Sequence, residues 1–372
     1  MLGTCVGARS AREQFLQEKI DHEAATVAKL INLPHQHALL VLRVCVQQNL
    51  RHLQRSLKSD DLVHLWDKLD TTLRQAVARI RGLPRPTDQH PMGGLGILSY
   101  KTVAPHAYAA ASEAADSTLA PILTPESLPA STQLITQHQR CQEIFAGNRE
   151  TLLGSLTPEQ AKAVIEASSK LGRVWHTTTP FQPSLRLTDV EVTAALQLRI
   201  LTGGGPLHPL RRGKLLRAPR GLPPEETVLA STPGTRVRLE PLGHQTSRRN
   251  DIQVITLLGS QATGLANAEY DLTVVSLASK DARATNLPNQ DIDPSRLANK
   301  YLDSVADHKV RHRPSSNLPF HPIVFSLGGM MNGSTSKVFA SWKRVMTRGT
   351  FNLMLKRLSL CLLQARVRSF EL

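Results

Sequence analysis

Aromatic side chains are scarce in this chain, 4% of 372 residues, and cysteines number only four. Cys5, Cys45, Cys141 and Cys361 stand far apart with no Cys-x-x-Cys pair, which excludes a disulfide framework and a zinc knuckle; they read as small buried hydrophobes. Long apolar runs are missing too. The longest, Ala38 to Leu42, is stopped by Arg43 and falls far short of the roughly 20 residues a spanning helix needs, so no membrane partner is expected. Met1 to Arg12 has no charged start followed by an apolar stretch, so the expected location is nuclear or cytoplasmic rather than secreted. Negative charge is the last shortage. Asp and Glu total 30 against 45 Lys and Arg, a net charge of +15, and the natural partners of such a chain are polyanions, nucleic acid above all.

What is present suffices for a core. Hydrophobic residues make up 41%, and the length suggests two or three domains. Three periodic segments, Arg12 to Ile31, His37 to Leu57 and Asp60 to Ile80, read as helices. The middle one shows little polar face and reads as a core helix surrounded by neighbours. The third carries one stripe, Leu62, Leu65, Trp66, Leu69, Leu73, Val77 and Ile80, and ends on Arg79, Arg81, Gly82, Pro84 and Pro86, a basic last turn followed by a left-handed cap and a stop.

Gly93-Gly94-Leu95-Gly96-Ile97 implies a tight turn or a close backbone approach, and lacks the lysine-serine of a phosphate loop. An Ala-rich helix is expected from near His106, a Pro/Ser/Thr segment over Ser117 to Thr132, and a helix near Gln133 to Leu153. Thr157-Pro158-Glu159-Gln160 supplies an N-cap, a first-turn proline and a capping-box partner for a helix ending at Gly172, and Thr188-Asp189-Val190-Glu191 opens another. Residues 202–233 carry no period and read as a basic, flexible linker. From Thr235 the pattern is that of strands, and from Ser295 it returns to helices around one apolar segment, Pro322 to Leu327. A strand pair followed by strand–helix–strand describes a small α/β domain, and the chain as a whole is expected to be α+β.

Two carboxylates stand out in that second half. Asp251 opens one strand (Ile252-Gln253-Val254-Ile255), the polar turn Gly259 to Asn267 reverses the chain, and the returning strand, Glu269 to Ser276, carries Asp271. Two such oxygens can hold one Mg²⁺, which needs only one or two protein carboxylates and can activate water against a phosphodiester. Two acidic residues beside strands also arise by chance. From Ser295 onward there are thirteen basic residues against three acidic, a net of +10 beside the candidate nuclease.

The opening Leu2-Gly3-Thr4-Cys5-Val6-Gly7, the run His37 to Arg55, the Gly93 to Ile97 turn with Ala107-Tyr108-Ala109-Ala110-Ala111-Ser112 behind it, and the Asp251/Asp271 strand pair resemble the C-terminal part of non-LTR retrotransposon reverse transcriptases that carry a restriction-like endonuclease. The similarity covers most of the chain outside 202–233. It implies a mainly helical thumb-like region over 1–115, a helical connector over 116–201, the basic linker 202–233 without the family's zinc knuckle, and a small α/β restriction-endonuclease-like domain over 234–372. The family's Tyr-x-Asp-Asp turn is absent, so the chain is read as a truncated polymerase without its catalytic palm; Lys58-Ser59-Asp60-Asp61 has adjacent aspartates, but at a helix start, where N-capping is the expected role.

The endonuclease pattern departs from the family in two places. Asn250 stands where a proline precedes the first acid, and Thr273 stands where a lysine completes the acid-x-lysine triplet. Relatives often carry that lysine on the next helix. At about 100° per residue, Leu297, Tyr301, Leu302 and Val305 define the buried face of Ser295 to His312, with Lys309 inside that sector and Lys300 opposite. Asp251, Asp271 and Lys309 are therefore the candidate catalytic residues, Asp251 and Asp271 the candidate Mg²⁺ ligands. Lys309 also reads as a lysine snorkelling from a helix flank. Arg248, Arg249, Arg311, Arg313, Lys343 and Arg344 are the candidate nucleic-acid contacts, and Tyr301 and Trp342 read as core aromatics. The expected partners are DNA or RNA and an intact retrotransposon polymerase, with no small-molecule substrate. The competing reading is a catalytically inactive remnant that only binds nucleic acid.

Overall fold

The computed structural model describes residues 3–82, 95–123, 136–200, 235–239, 252–256, 267–277, 294–313 and 318–371. The chain is α+β and divides into two compact units, Met1–Leu156 with Thr188–Thr202, and Thr157–Leu187 with Gly203–Leu372. The stretch 116–201, expected to be one connector, is thus shared between the two. Before the sheet come α1 (Arg9–Leu30), α2 (His35–Val41), α3 (Gln47–Asn49), α4 (Leu53–Ser56), α5 (Val63–Ile80), α6 (Tyr100–Leu123), α7 (Gln137–Gly154), α8 (Pro158–Ala167), α9 (Lys170–Val174) and α10 (Asp189–Ile200).

In the first unit the stripe read on the third helical segment is its buried face: Leu62, Leu65, Trp66, Leu69, Leu73, Val77 and Ile80 are all buried. Each large apolar side chain so buried contributes about 1.5–3 kcal/mol. α1 packs on this helix through Leu16, Ile20 and Val27. Asp60 and Asp61 open a 3-10 turn, but no side chain caps it. Asp61 instead accepts both guanidinium nitrogens of Arg12, at 3.0 and 2.8 Å, which holds its carboxyl below the usual range.

The segment His37 to Leu57 departs from the reading of one core helix. After α2 the chain widens into a π-helical stretch, Leu42–Val46, before α3 and α4. The changed residues-per-turn rotates the apolar run, so Leu39, Leu42, Val46 and Leu53 are buried while Val44 and Cys45 are exposed. None of the four cysteines is buried: Cys45 is exposed and the other three are half-exposed.

α6 begins well before His106. The cause is tertiary: the buried Asp70 carboxylate on α5 accepts the backbone N–H groups of Tyr100 (2.8 Å) and Lys101 (3.1 Å) and the Ser99 hydroxyl (2.6 Å), satisfying donors that a helix start leaves unpaired. At its other end α6 runs to Leu123, into the segment expected to be irregular. Gly82 takes the left-handed cap at φ +70°, and Gly96 makes the close approach, a Cβ there meeting Arg43 Nη2 at 2.6 Å. The capping boxes at Thr157/Gln160 and Thr188/Glu191 form, and Thr136/Gln139 makes a third. The first of these opens a shorter helix than expected: α8 stops at Ala167, and Ser169 caps α9 separately by accepting from Gly172 N–H.

The second unit is built on a sheet of β1 (Thr235–Leu239), β2 (Ile252–Thr256), β3 (Ala268–Val275) and β4 (Phe320–Ser326) in the order 1-2-3-4. β1, β2 and β3 are antiparallel neighbours, and β4 lies parallel to β3 after the crossover helix α11 (Pro294–Arg311). Helices α12 (Gly333–Val345) and α13 (Arg348–Glu371) follow. Alternation along β3 splits its side chains between two faces. Tyr270, Leu272 and Val274 face a cluster with Phe339 and Trp342 of α12 and Met354, Leu355 and Leu358 of α13. Tyr301 and Trp342 are both buried, as read.

Among the described strands β4 lies at the edge of the sheet, and its outer side is closed locally. Val324 N–H points away from β3 and donates to Thr335 Oγ1 at 2.9 Å. Pro322, two residues earlier, has its missing donor on that same outer side, which is where a strand proline is tolerated. Past β4 the chain turns on Gly328 and Gly329. Gly328 N–H donates to the buried Glu166 carboxylate of α8 at 2.6 Å, and Gly329, at φ +91°, lies against Gly172 and Leu171 of α9 so closely that a Cβ would stand 2.7 Å from Gly172 N. Among the described residues no helix is long and apolar enough to cross a membrane.

Candidate metal and nucleic-acid site

The face of β3 opposite the aromatic cluster carries Glu269, Asp271 and Thr273. Glu269 and Thr273 are buried, whereas the Asp271 side chain keeps 18% of its surface exposed. Over this carboxylate lies α11, whose buried residues Ala298, Tyr301, Leu302 and Ala306 recur at helical spacing. Leu297 and Val305, expected in that face, are half-buried at its margin, and Lys300 is exposed. Three residues beyond Ala306, Lys309 reaches Asp271: its Nζ stands 2.8 Å from Oδ2. The structure therefore brings two of the three candidate catalytic side chains together.

Asp251, Arg248 and Arg249 lie outside the described residues. What is described is the strand that follows: Ile252, the residue after Asp251, pairs with Tyr270, the residue before Asp271. Among the described residues no three His, Cys, Asp or Glu side chains converge on a point where an ion could sit. The donors available at Asp271 are hard carboxylate oxygens, which suit Mg²⁺. Two residues along the same face, the buried Thr273 hydroxyl has no hydrogen-bond partner among the described residues, an oxygen that a bound water could satisfy.

The basic residues fall in two places. Arg311 and Arg313 follow Lys309 at the end of α11; Arg311 is exposed, with Nε donating to the Asp307 carbonyl, and Arg313 is half-buried, its guanidinium 5.4 Å above the Phe320 ring and hydrogen-bonded to the Leu318 carbonyl. Burial and the nearby Arg313 charge push His321 below its usual range, so it is neutral at pH 7. Lys343 and Arg344 are exposed in the last turn of α12. Glu269 was overlooked in the sequence although strand alternation puts it on the face of Asp271; its neighbour across the sheet is Gln253. No family model matches the chain, and no curated protein matches it.

Proposed function

We propose that this chain corresponds to the C-terminal part of a non-LTR retrotransposon reverse transcriptase, binding nucleic acid and nicking DNA through a restriction-like endonuclease domain. The observation that carries the reading is the Lys309 ammonium on Asp271, on a strand whose neighbour β2 begins immediately after Asp251. An antiparallel strand pair, a crossover helix bearing the lysine and a returning parallel strand is the order read for that domain from residues 235–327, and it supports the assignment.

In this reading Asp251 and Asp271 hold Mg²⁺, which supplies Lewis-acid polarisation and an activated water. Lys309, beside Asp271, would be placed to steady a phosphate oxygen at such a site. Arg248, Arg249, Arg311, Arg313, Lys343 and Arg344 provide the positive surface that grips the duplex backbone without reading sequence. Plasmid nicking tests the proposal: wild type converts supercoiled to open-circular DNA with Mg²⁺, while Asp251→Ala and Asp271→Ala do not. No metal-dependent cleavage, or equal cleavage by all three proteins, overturns it.

One observation favours a second reading, an inactive remnant that retains nucleic-acid binding. Thr273 holds the place of the triplet lysine, buried and without charge. DNA retention at low salt without nicking is the outcome this reading predicts.

A further inference from the structure

We propose that Phe181, together with the Arg186 guanidinium of the same loop, forms a stacking site for one base of single-stranded nucleic acid. The proposal deepens the preceding reading and rests on its nucleic-acid binding alone, needing neither the metal nor cleavage. Among the described residues Phe145 and Phe181 are the only exposed aromatic rings, and Phe181 is the more exposed, at 62%.

The ring is held outward by an anchored loop. After α9 the chain makes one 3-10 turn at Trp175–Thr177 and a second at Pro183–Leu185, and Phe181 stands between them. Thr178 and Pro180 before it, and Leu185 and Leu187 after it, are buried. The Thr178 hydroxyl donates to the Val174 carbonyl at 2.9 Å, Phe181 N–H to the Thr179 carbonyl at 3.0 Å, and Leu185 N–H to the Gln182 carbonyl at 2.9 Å. Pro180 and Pro183 fix φ on both flanks. A loop so constrained loses little freedom when its ring meets a ligand, which is what pre-organisation contributes to affinity.

Charge selects the ligand. Arg186 is exposed, and its Nε donates to the Pro180 carbonyl at 3.4 Å, which sets a guanidinium beside the residue that precedes Phe181. An aromatic face with a cation alongside suits a base and its phosphate, since rings stack on bases of any sequence and Arg attracts the backbone. Paired bases have both faces covered inside a duplex, so a projecting ring reaches only unpaired ones. An apolar groove on a partner protein would use the ring but not the cation, and the net charge of +15 favours the polyanion.

The experiment is fluorescence anisotropy of a labelled oligothymidylate of about 12 nucleotides, within the span of single-strand sites, titrated with the full chain at low salt beside a duplex of the same length. The wild type is expected to bind both. Phe181→Ala should weaken oligothymidylate binding about 5-fold or more and leave duplex binding unchanged. Phe181→Leu, which keeps an apolar side chain but no ring face, should do the same, while Phe181→Trp should retain the affinity. Arg186→Ala should reduce the slope of log affinity against log salt by about 0.7 for the single strand. Circular dichroism checks that these exposed-site variants are folded. Undiminished oligothymidylate affinity in Phe181→Ala, or binding of the duplex alone, overturns the stacking site and leaves nucleic-acid binding standing. Full affinity in Phe181→Leu assigns the ring to a general apolar contact, such as a protein groove, and overturns it as well. Failure to bind either probe overturns this site and the nucleic-acid reading together.

Discussion

A double-mutant cycle on Asp271 and Lys309 measures the contact on which the site is built, without any need for activity. At the observed Nζ–Oδ2 separation of 2.8 Å, the bare Coulomb attraction at an effective dielectric of about 20 is about 6 kcal/mol. That figure is an upper bound, because the side chains remain 30% and 18% exposed. Desolvation and water screening bring such pairs down to about 1 kcal/mol or less. Urea unfolding of wild type, Asp271→Asn, Lys309→Met and the double variant should therefore give a coupling energy of about 0.5–1 kcal/mol at low salt. In 1 M NaCl, where the Debye length contracts to about 3 Å, the coupling should fall by about half or more. Additive effects at low salt would mean the two side chains do not interact, and the placement of α11 over β3 would be wrong.

Three further outcomes follow from particular contacts. Gly328→Ala would put a Cβ 2.2 Å from Glu166 Cγ, and overpacking with the strained bond to a buried carboxylate should lower the stability of the sheet unit by about 3–5 kcal/mol, read as a fall in urea midpoint; an unchanged midpoint contradicts the packing of this turn. Burial raises the Asp70 carboxyl, so the folded state holds its proton more tightly than the unfolded chain and the stabilisation is full below about pH 4 and declines as pH rises through the folded value. The stability difference between wild type and Asp70→Asn should shrink from pH 4 to pH 7, and a difference that grows would refute the burial argument. If DNA lies across α12, replacing exposed Lys343 and Arg344 by alanine should reduce the slope of log affinity against log salt by about 2; an unchanged slope places the DNA elsewhere.

Local signals in the sequence translated directly into structure. The capping boxes at Thr157 and Thr188 and the stripe from Leu62 to Ile80 are set by neighbours three and four residues apart, and each stands where it was read. Features set from a distance were not legible. α6 starts at Tyr100 because Asp70, on another helix, caps it. Cys45 is exposed because a π-helical stretch turns the apolar run. Helical phase put Lys309 and Lys300 on different sides of α11, and the structure has Lys309 against Asp271 and Lys300 exposed. Glu269 shares the strand face of Asp271 by alternation alone, and no spacing motif in the sequence marks it. The distribution of 157–187 to the sheet unit rests on contacts such as Glu166 with Gly328, more than 150 residues apart, that no local pattern announces.

In the proposed nuclease, Asp251 and Asp271 share one divalent ion. Mn²⁺ binding followed by electron paramagnetic resonance tests it most directly, with Mn²⁺ standing in for Mg²⁺. The expected result is one bound ion in the wild type, lost on Asp251→Asn and on Asp271→Asn alike, with the double variant no worse than either. Full Mn²⁺ affinity in either single variant would contradict it.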